Sequence, residues 1–194
     1  MQDRLMKALT NPRWAMRGVW VRVKGAYYRF KLGRKRNVTI GQGFQVEGKV
    51  TIQGPGRVII EDGVIFNHHV TPFTYSPEAV IHIKKGTTLI GTRFGCKANI
   101  TIGEDCLVGD ARIMDQDFHS IQPNHRDNPE FVRTSPVTIG DRVWITWGVV
   151  ILKGVTIGEG STITPNSVIV KDVPPNCVYG GNPAKLIKEI DVLP

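Results

Sequence analysis

The run Asp115-Gln116-Asp117-Phe118-His119 sets two carboxylates and an imidazole at alternate positions. If the chain is extended there, Asp115, Asp117 and His119 lie on one side of it. An imidazole titrates near neutral pH and suits the task of a general base. Nearby carboxylates favour its charged form, which is the form a base reaches on taking a proton. Solvated turns also contain histidines and aspartates, so the elements that hold these residues decide between chemistry and an ordinary loop.

Those elements are a repeat. Ile139, Ile145, Ile151, Ile157, Ile163 and Ile169 recur every six residues, and a small or β-branched residue stands two before each. The same phase runs through Ile40, Val46 and Ile52, through Ile60 and Phe66, and through Ile102 and Val108. An α-helix cannot keep a period of six on one face. A strand places alternate residues on one face, which accounts for the paired inward positions. The solution is an all-β solenoid of short parallel strands with a turn every six residues, three strands closing one triangular coil. Residues 37–181 hold about seven such coils at roughly 4.8 Å each. The repeat breaks between Ile113 and Val137, so residues 115–136 form a protruding loop, and long loops in regular scaffolds carry function. The run ending in His119 opens that loop.

The chain of 194 residues is long enough for one domain and an arm. Residues 1–36 hold eleven Lys and Arg against Asp3 alone, net +10, whereas residues 37–194 hold fourteen basic and sixteen acidic residues, net −2. The body therefore lacks a basic groove, which excludes a nucleic-acid binder. No apolar run is long enough to span a bilayer, and no signal peptide is recognisable. Three cysteines without a CxxC pair point to a reduced, cytoplasmic setting. In the arm, Asn11-Pro12 reads as a helix start. Ala15, Met16, Val19, Val23, Ala26 and Phe30 then share an apolar face, while Arg13, Arg17, Lys24, Lys31 and Lys35 form a basic stripe beside Trp20 and Tyr27. Such a helix either lies on an anionic membrane surface through residues 12–36 or packs its apolar face on the solenoid. Residues 182–194 read as a short C-terminal helix.

The hexads V-T-I-G-D-R-V-W-I and G-V-T-I-G-E-G-S-T-I resemble the left-handed parallel β-helix acyltransferases, the hexapeptide-repeat superfamily. Residues 98–190 are most similar to its maltose/galactoside acetyltransferase-like branch, which includes polysaccharide O-acetyltransferases. The matching segments are I-T-I-G-E-D-C-L-V-G-D, D-Q-D-F-H-S-I, I-L-K-G-V-T-I-G, and K-D-V-P-P-N ending in G-G-N-P-A-K. Left-handedness rests on the resemblance alone, since parallel crossovers are normally right-handed.

The resemblance implies a homotrimer with sites between adjacent prisms, an acetyl-CoA co-substrate and no metal. It implies that His119 deprotonates a saccharide hydroxyl, that Asp117 supports His119, and that backbone N–H groups stabilise the oxyanion. Trp144, Thr146, Trp147 and Pro165 match pantetheine-lining positions, and Lys171, Lys185 and Lys188 match positions that meet CoA phosphates. Thr146-Trp147 and Thr164-Pro165-Asn166 depart from the small residues usual there. Asp115, Arg93 and Asn67 are the candidates for acceptor contact. The expected activity is acetyl transfer to a saccharide or lipid-linked saccharide, in cell-surface polysaccharide or glycolipid synthesis, in the cytoplasm or on the inner membrane face. Two alternatives stay open. The solenoid also resembles zinc-dependent carbonic anhydrases, for which His82, His119 and His125 are the candidate ligands, and it also suits a non-catalytic trimeric scaffold.

Overall fold

The computed structural model describes residues 12–191, so residues 1–11 of the arm and 192–194 lie outside the described residues. A helix, α1 (Pro12–Gly33), leads into the solenoid. The first coil is β1 (Val38–Ile40), β2 (Gln45–Val46) and β3 (Lys49–Val50). The second is β4 (Arg57–Ile60), β5 (Ile65–Asn67) and β6 (His69–Thr74), and the third β7 (Val80–Ile83), β8 (Thr88–Ile90) and β9 (Arg93–Cys96). The fourth is β10 (Asn99–Ile102), β11 (Leu107–Val108) and β12 (Arg112–Met114), after which the long loop intervenes. The fifth is β13 (Val137–Ile139), β14 (Trp144–Ile145) and β15 (Val150–Ile151), and the sixth β16 (Thr156–Ile157), β17 (Thr162–Ile163) and β18 (Val168–Ile169). β19 (Cys177–Gly181) begins a seventh, and β20 (Ala184–Glu189) folds back on it.

Strands one coil apart pair in parallel and build the three faces of a prism. The first face runs β1-β4-β7-β10-β13-β16, the second β2-β5-β8-β11-β14-β17-β19-β20, and the third β3-β6-β9-β12-β15-β18. This is the solenoid that the repeat predicts, and it matches the left-handed β-helix that the resemblance implies. The registers put the in-phase residues in straight columns, such as Val46, Phe66, Leu89, Val108, Ile145 and Ile163 on the second face. These apolar side chains are buried completely, and β-branched residues dominate because they pack well from a pleated surface. Cys96, Cys106 and Cys177 are free and buried. Burial, and for Cys96 the adjacent Asp115 carboxylate, pushes the Cys96 and Cys106 thiols up from their ordinary range.

Two terminal elements differ from the sequence expectation. Residues 184–189 form no helix: β20 pairs antiparallel with β19 across the Asn182-Pro183 turn. The hairpin wins because it supplies ladder partners to a strand that would otherwise end the second face. The arm does form a helix, and it docks on the first coil through a side other than its long apolar stripe. Its inward side is Gly18, Val21, Lys24, Gly25, Tyr28 and Leu32. Gly25 meets the backbone of the first coil, where a Cβ would stand 1.9 Å from the Phe44 carbonyl oxygen. Lys24 Nζ donates to the carbonyls of Glu47 (3.1 Å) and Gly48, Lys35 Nζ to that of Ile52 (3.1 Å), and Arg17 pairs with Glu47. The first coil presents polar backbone as well as Phe44, so small and cationic residues dock better than the aliphatic stripe. Met16, Val19, Val23 and Phe30 consequently face outward with Trp20 and Tyr27. Among the described residues no helix is long and apolar enough to cross a membrane.

Candidate active site

The hexad phase that turns Ile113 inward carries Asp115 inward too, since it stands two residues further on. Asp115 is completely buried, and its two carboxylate oxygens accept from the backbone N–H groups of Lys97 and Ala98, each at 2.7 Å. This corrects its expected contact with the acceptor: both oxygens are committed to the preceding coil, and the residue anchors the loop. The loop's neck is closed by the Gln116–Thr134 bridge and by Ser135 N–H donating to Asp115 O at 2.8 Å. Asp117 N–H donates to Arg133 O, and the Asp117 carboxylate pairs with Lys153 in the corner after β15.

Phe118 then adopts a left-handed conformation, φ 62°, which is strained for a side chain of this size. Its ring lies on Gly95 of β9, where a Cβ would come within 2.6 Å of Cζ, and makes an edge contact with Tyr75 at 5.3 Å between centroids. Only glycine leaves room for the ring. This clamp turns His119 outward, with its N–H on Asp117 O at 2.7 Å. The imidazole Nδ1 lies 3.2 Å from Asp127 Oδ1, and the two side chains are 64% and 89% exposed. The carboxylate beside the imidazole is therefore Asp127, which the sequence pattern did not single out, while Asp117 meets His119 through its carbonyl and pairs with Lys153.

The remaining candidates fall elsewhere on the prism. Trp144 projects outward from the second face, in one column with Leu107, Thr162, Val178 and Lys188. Lys185 lies on β20 opposite Gly180, also exposed. Thr146 is corrected: its side chain is buried and Oγ1 donates to Ile163 O at 2.7 Å, so it does not line a donor channel. Trp147 stands exposed at the corner between the second and third faces, its ring 6.3 Å from that of His68. Pro165, one coil later, shares that corner, and Asn67 flanks it beside His68. Arg93 is exposed on the third face, in register with Arg112 of the next coil. Lys171 occupies the corner after β18, one coil beyond Lys153 and thus on the His119 side. One chain therefore does not gather His119 with Trp144, Trp147, Pro165, Asn67, Lys185 and Lys188. They sit on different edges of the triangle.

The three histidines considered as zinc ligands have separate surroundings: His82 pairs with Glu61 on the first face at 2.6 Å, and His125 stacks on Phe131 at 4.3 Å. No group of three His, Cys, Asp or Glu side chains gathers among the described residues of one chain.

Comparison with known proteins agrees with the geometry. The model of the bacterial transferase hexapeptide family (six repeats) matches residues 136–171, the coils directly after the loop. Galactoside O-acetyltransferase of Escherichia coli K12 is 40% identical over 92 residues, which are 47% of this chain and 45% of that protein. The chain thus spans less than half the length of the curated relatives it matches. A solved polysialic acid O-acetyltransferase, OatWY, is 30% identical, with a TM-score of 0.67 over 81% of this chain and 76% of that one. The chain belongs to the hexapeptide-repeat acyltransferase family. Another solved member, the polysialic-acid-specific acetyltransferase NeuO, is 26% identical with a TM-score of 0.58, covering 82% of this chain and 90% of its own. Within this family the departures at Thr146 and Trp147 acquire a structural meaning: the threonine is a core residue capping a carbonyl, and the tryptophan fills the corner out to His68.

Proposed function

We propose that the protein is an O-acetyltransferase that moves the acetyl group of acetyl-CoA to a saccharide hydroxyl. The observation that carries this reading is the clamp on His119, which spends buried and strained interactions to hold one exposed imidazole outward from a coil corner. The names of the similar proteins, a galactoside and two polysialic acid acetyltransferases, support a sugar acceptor. In the reaction His119 takes the acceptor's hydroxyl proton as the oxygen attacks the thioester carbonyl. The tetrahedral oxyanion collapses, the C–S bond breaks, and the proton held on His119 passes to the departing thiolate, leaving acetyl ester and CoA. Asp127 stabilises the transient imidazolium.

Acetyl-CoA is consumed here as a substrate, and the outward column from Trp144 to Lys188 suits it. Its aromatic and aliphatic part matches the pantetheine arm, and its lysine matches a phosphate. Because that column and the Trp147 corner lie on a different edge from His119, the working unit is a homotrimer in which one chain's loop faces the next chain's corner. Arg93, with Arg112 stacked one rung away and neither in an ion pair among the described residues, supports an anionic acceptor. Stacked like charges are unfavourable until an anion lies across them. A cytoplasmic protein serving polysaccharide or glycolipid synthesis is consistent with these features.

The test is CoA release measured with galactosides and with oligosialic acid, alongside thermal denaturation with acetyl-CoA. Acetyl-CoA at a hundred times its dissociation constant adds about 2.7 kcal/mol of stability. Acetyl-CoA binding with transfer abolished in His119→Ala is the expected result; no thermal shift and no release with any sugar would overturn the reading.

A further inference from the structure

The outward side of α1 is unlike the rest of the surface. Met16, Val19, Trp20, Val23, Tyr27 and Phe30 are 54–71% exposed and recur at helical spacing on one side. At 100° per residue they cover an arc about 100° wide, centred opposite the docked side of Gly25 and Leu32. The two margins of this stripe are cationic: Lys31 on one, beyond the docked Arg17 and Lys24, and Arg22 and Arg29 on the other. No acidic residue occurs between Pro12 and Gly33. Lys31 reaches over the Tyr27 ring at 5.7 Å and Arg34 over Phe30 at 5.8 Å, so cations also border the stripe's exposed end. A groove lined by Trp20, Val23, Lys24, Tyr27 and Tyr28 opens along it.

We infer that α1 is a bilayer-surface helix, which docks the protein on anionic lipid with the stripe in the acyl boundary and the basic margins among the headgroups. Charge decides the occupant. A second copy laid on this face would bring two acid-free cationic helices together, whereas anionic headgroups neutralise both margins at once. Trp20 and Tyr27 belong to the residue types that settle at a membrane interface. The solenoid pre-orders the helix, because Gly25, Lys24 and Leu32 hold it in place before lipid arrives. Less entropy is then lost on binding than for a peptide that folds at the membrane. Gly18 and Gly25, which weaken a free helix, are tolerated for the same reason. The inference is independent of acetyl transfer.

Co-sedimentation of the full chain with phosphatidylcholine vesicles, with and without phosphatidylglycerol, tests it at low and physiological salt. Binding is expected to require phosphatidylglycerol and to weaken with salt. Trp20→Glu with Tyr27→Glu should lower the partition coefficient by about a hundredfold or more, given the apolar area removed and the charge added. Arg22→Gln with Arg29→Gln should lower it by about fivefold per residue and flatten the salt dependence. Native mass and melting temperature of each variant are measured in parallel and should match those of the parent. Failure of the folded parent to bind anionic vesicles at low salt overturns the inference. So does undiminished binding of the Trp20→Glu, Tyr27→Glu protein, or a change in its oligomeric state, which would assign the stripe to a subunit contact.

Discussion

Adding one methyl group at Gly95 should disable the proposed acetyl transfer without touching a reacting group. A Cβ there would stand 2.6 Å from Phe118 Cζ, about 1 Å inside an ordinary carbon–carbon contact. Gly95 lies in the paired strand β9 and its backbone cannot recede, so the ring must lift by that amount. Phe118 is already at φ 62° and adjoins His119 directly, so the displacement passes to the imidazole. A misplacement of about 1 Å at a catalytic group costs on the order of 10²-fold in rate. Gly95→Ala is therefore expected to lose about a hundredfold in kcat, with acetyl-CoA binding, read by thermal shift, unchanged. Phe118→Ala should be impaired for the complementary reason, since nothing then seats the loop on the third face. Because both act through one contact, the double variant should be no worse than Phe118→Ala alone. Full activity of Gly95→Ala, or additive losses in the double variant, would refute the clamp.

His119→Ala should lower turnover by about 10²- to 10⁴-fold while CoA binding persists, whereas His82→Ala and His125→Ala should cost little; equal losses in all three would instead support zinc chemistry and a metal analysis would decide it. Asp127→Asn should reduce kcat with acetyl-CoA binding unchanged, while Asp117→Asn should act through loop stability and raise protease sensitivity of residues 115–136. Asp115→Ala leaves two buried N–H groups unpaired and should destabilise the fold by about 2–5 kcal/mol in denaturant titration. Gly25→Ala should lower the melting temperature because its methyl group collides with the Phe44 carbonyl; an unchanged value would mean that α1 does not dock as described. Cys96 and Cys106, with thiols pushed up by burial, should resist alkylation at neutral pH until the protein unfolds.

The solenoid was legible because its core obeys one rule six residues long. Ile139 through Ile169 are all buried, as their phase requires. The same rule extended two residues past Ile113 would have turned Asp115 inward, a signal obscured by its membership of the D-Q-D-F-H motif. Thr146 was legible only in part, because a corner residue follows neither strand parity nor turn chemistry. Asp127 carried no sequence signal at all: eight residues from His119 in an irregular loop, it reaches the imidazole through the turn around Pro123–His125. The docked side of α1 was not legible, because the hydrophobic pattern leaves two alternatives for its apolar face and only the shape of the first coil chooses between them. The first coil's carbonyls chose glycine and lysine instead.

A stack of identical rungs has no intrinsic length, and each bare end is a template on which another such stack could grow. Here both ends differ from the rungs between them. At the first coil α1 and the residues just after it lay Lys24, Lys35 and Gly25 across the backbone, and at the last the chain reverses so that β20 runs antiparallel to a sheet that is otherwise parallel. Neither surface offers an incoming coil the register it would need. The two ends act as chain terminators, fixing a particle of defined size rather than a fibre. Variants that loosen α1 or remove β20 should accordingly be watched for end-to-end polymers as well as for lost stability.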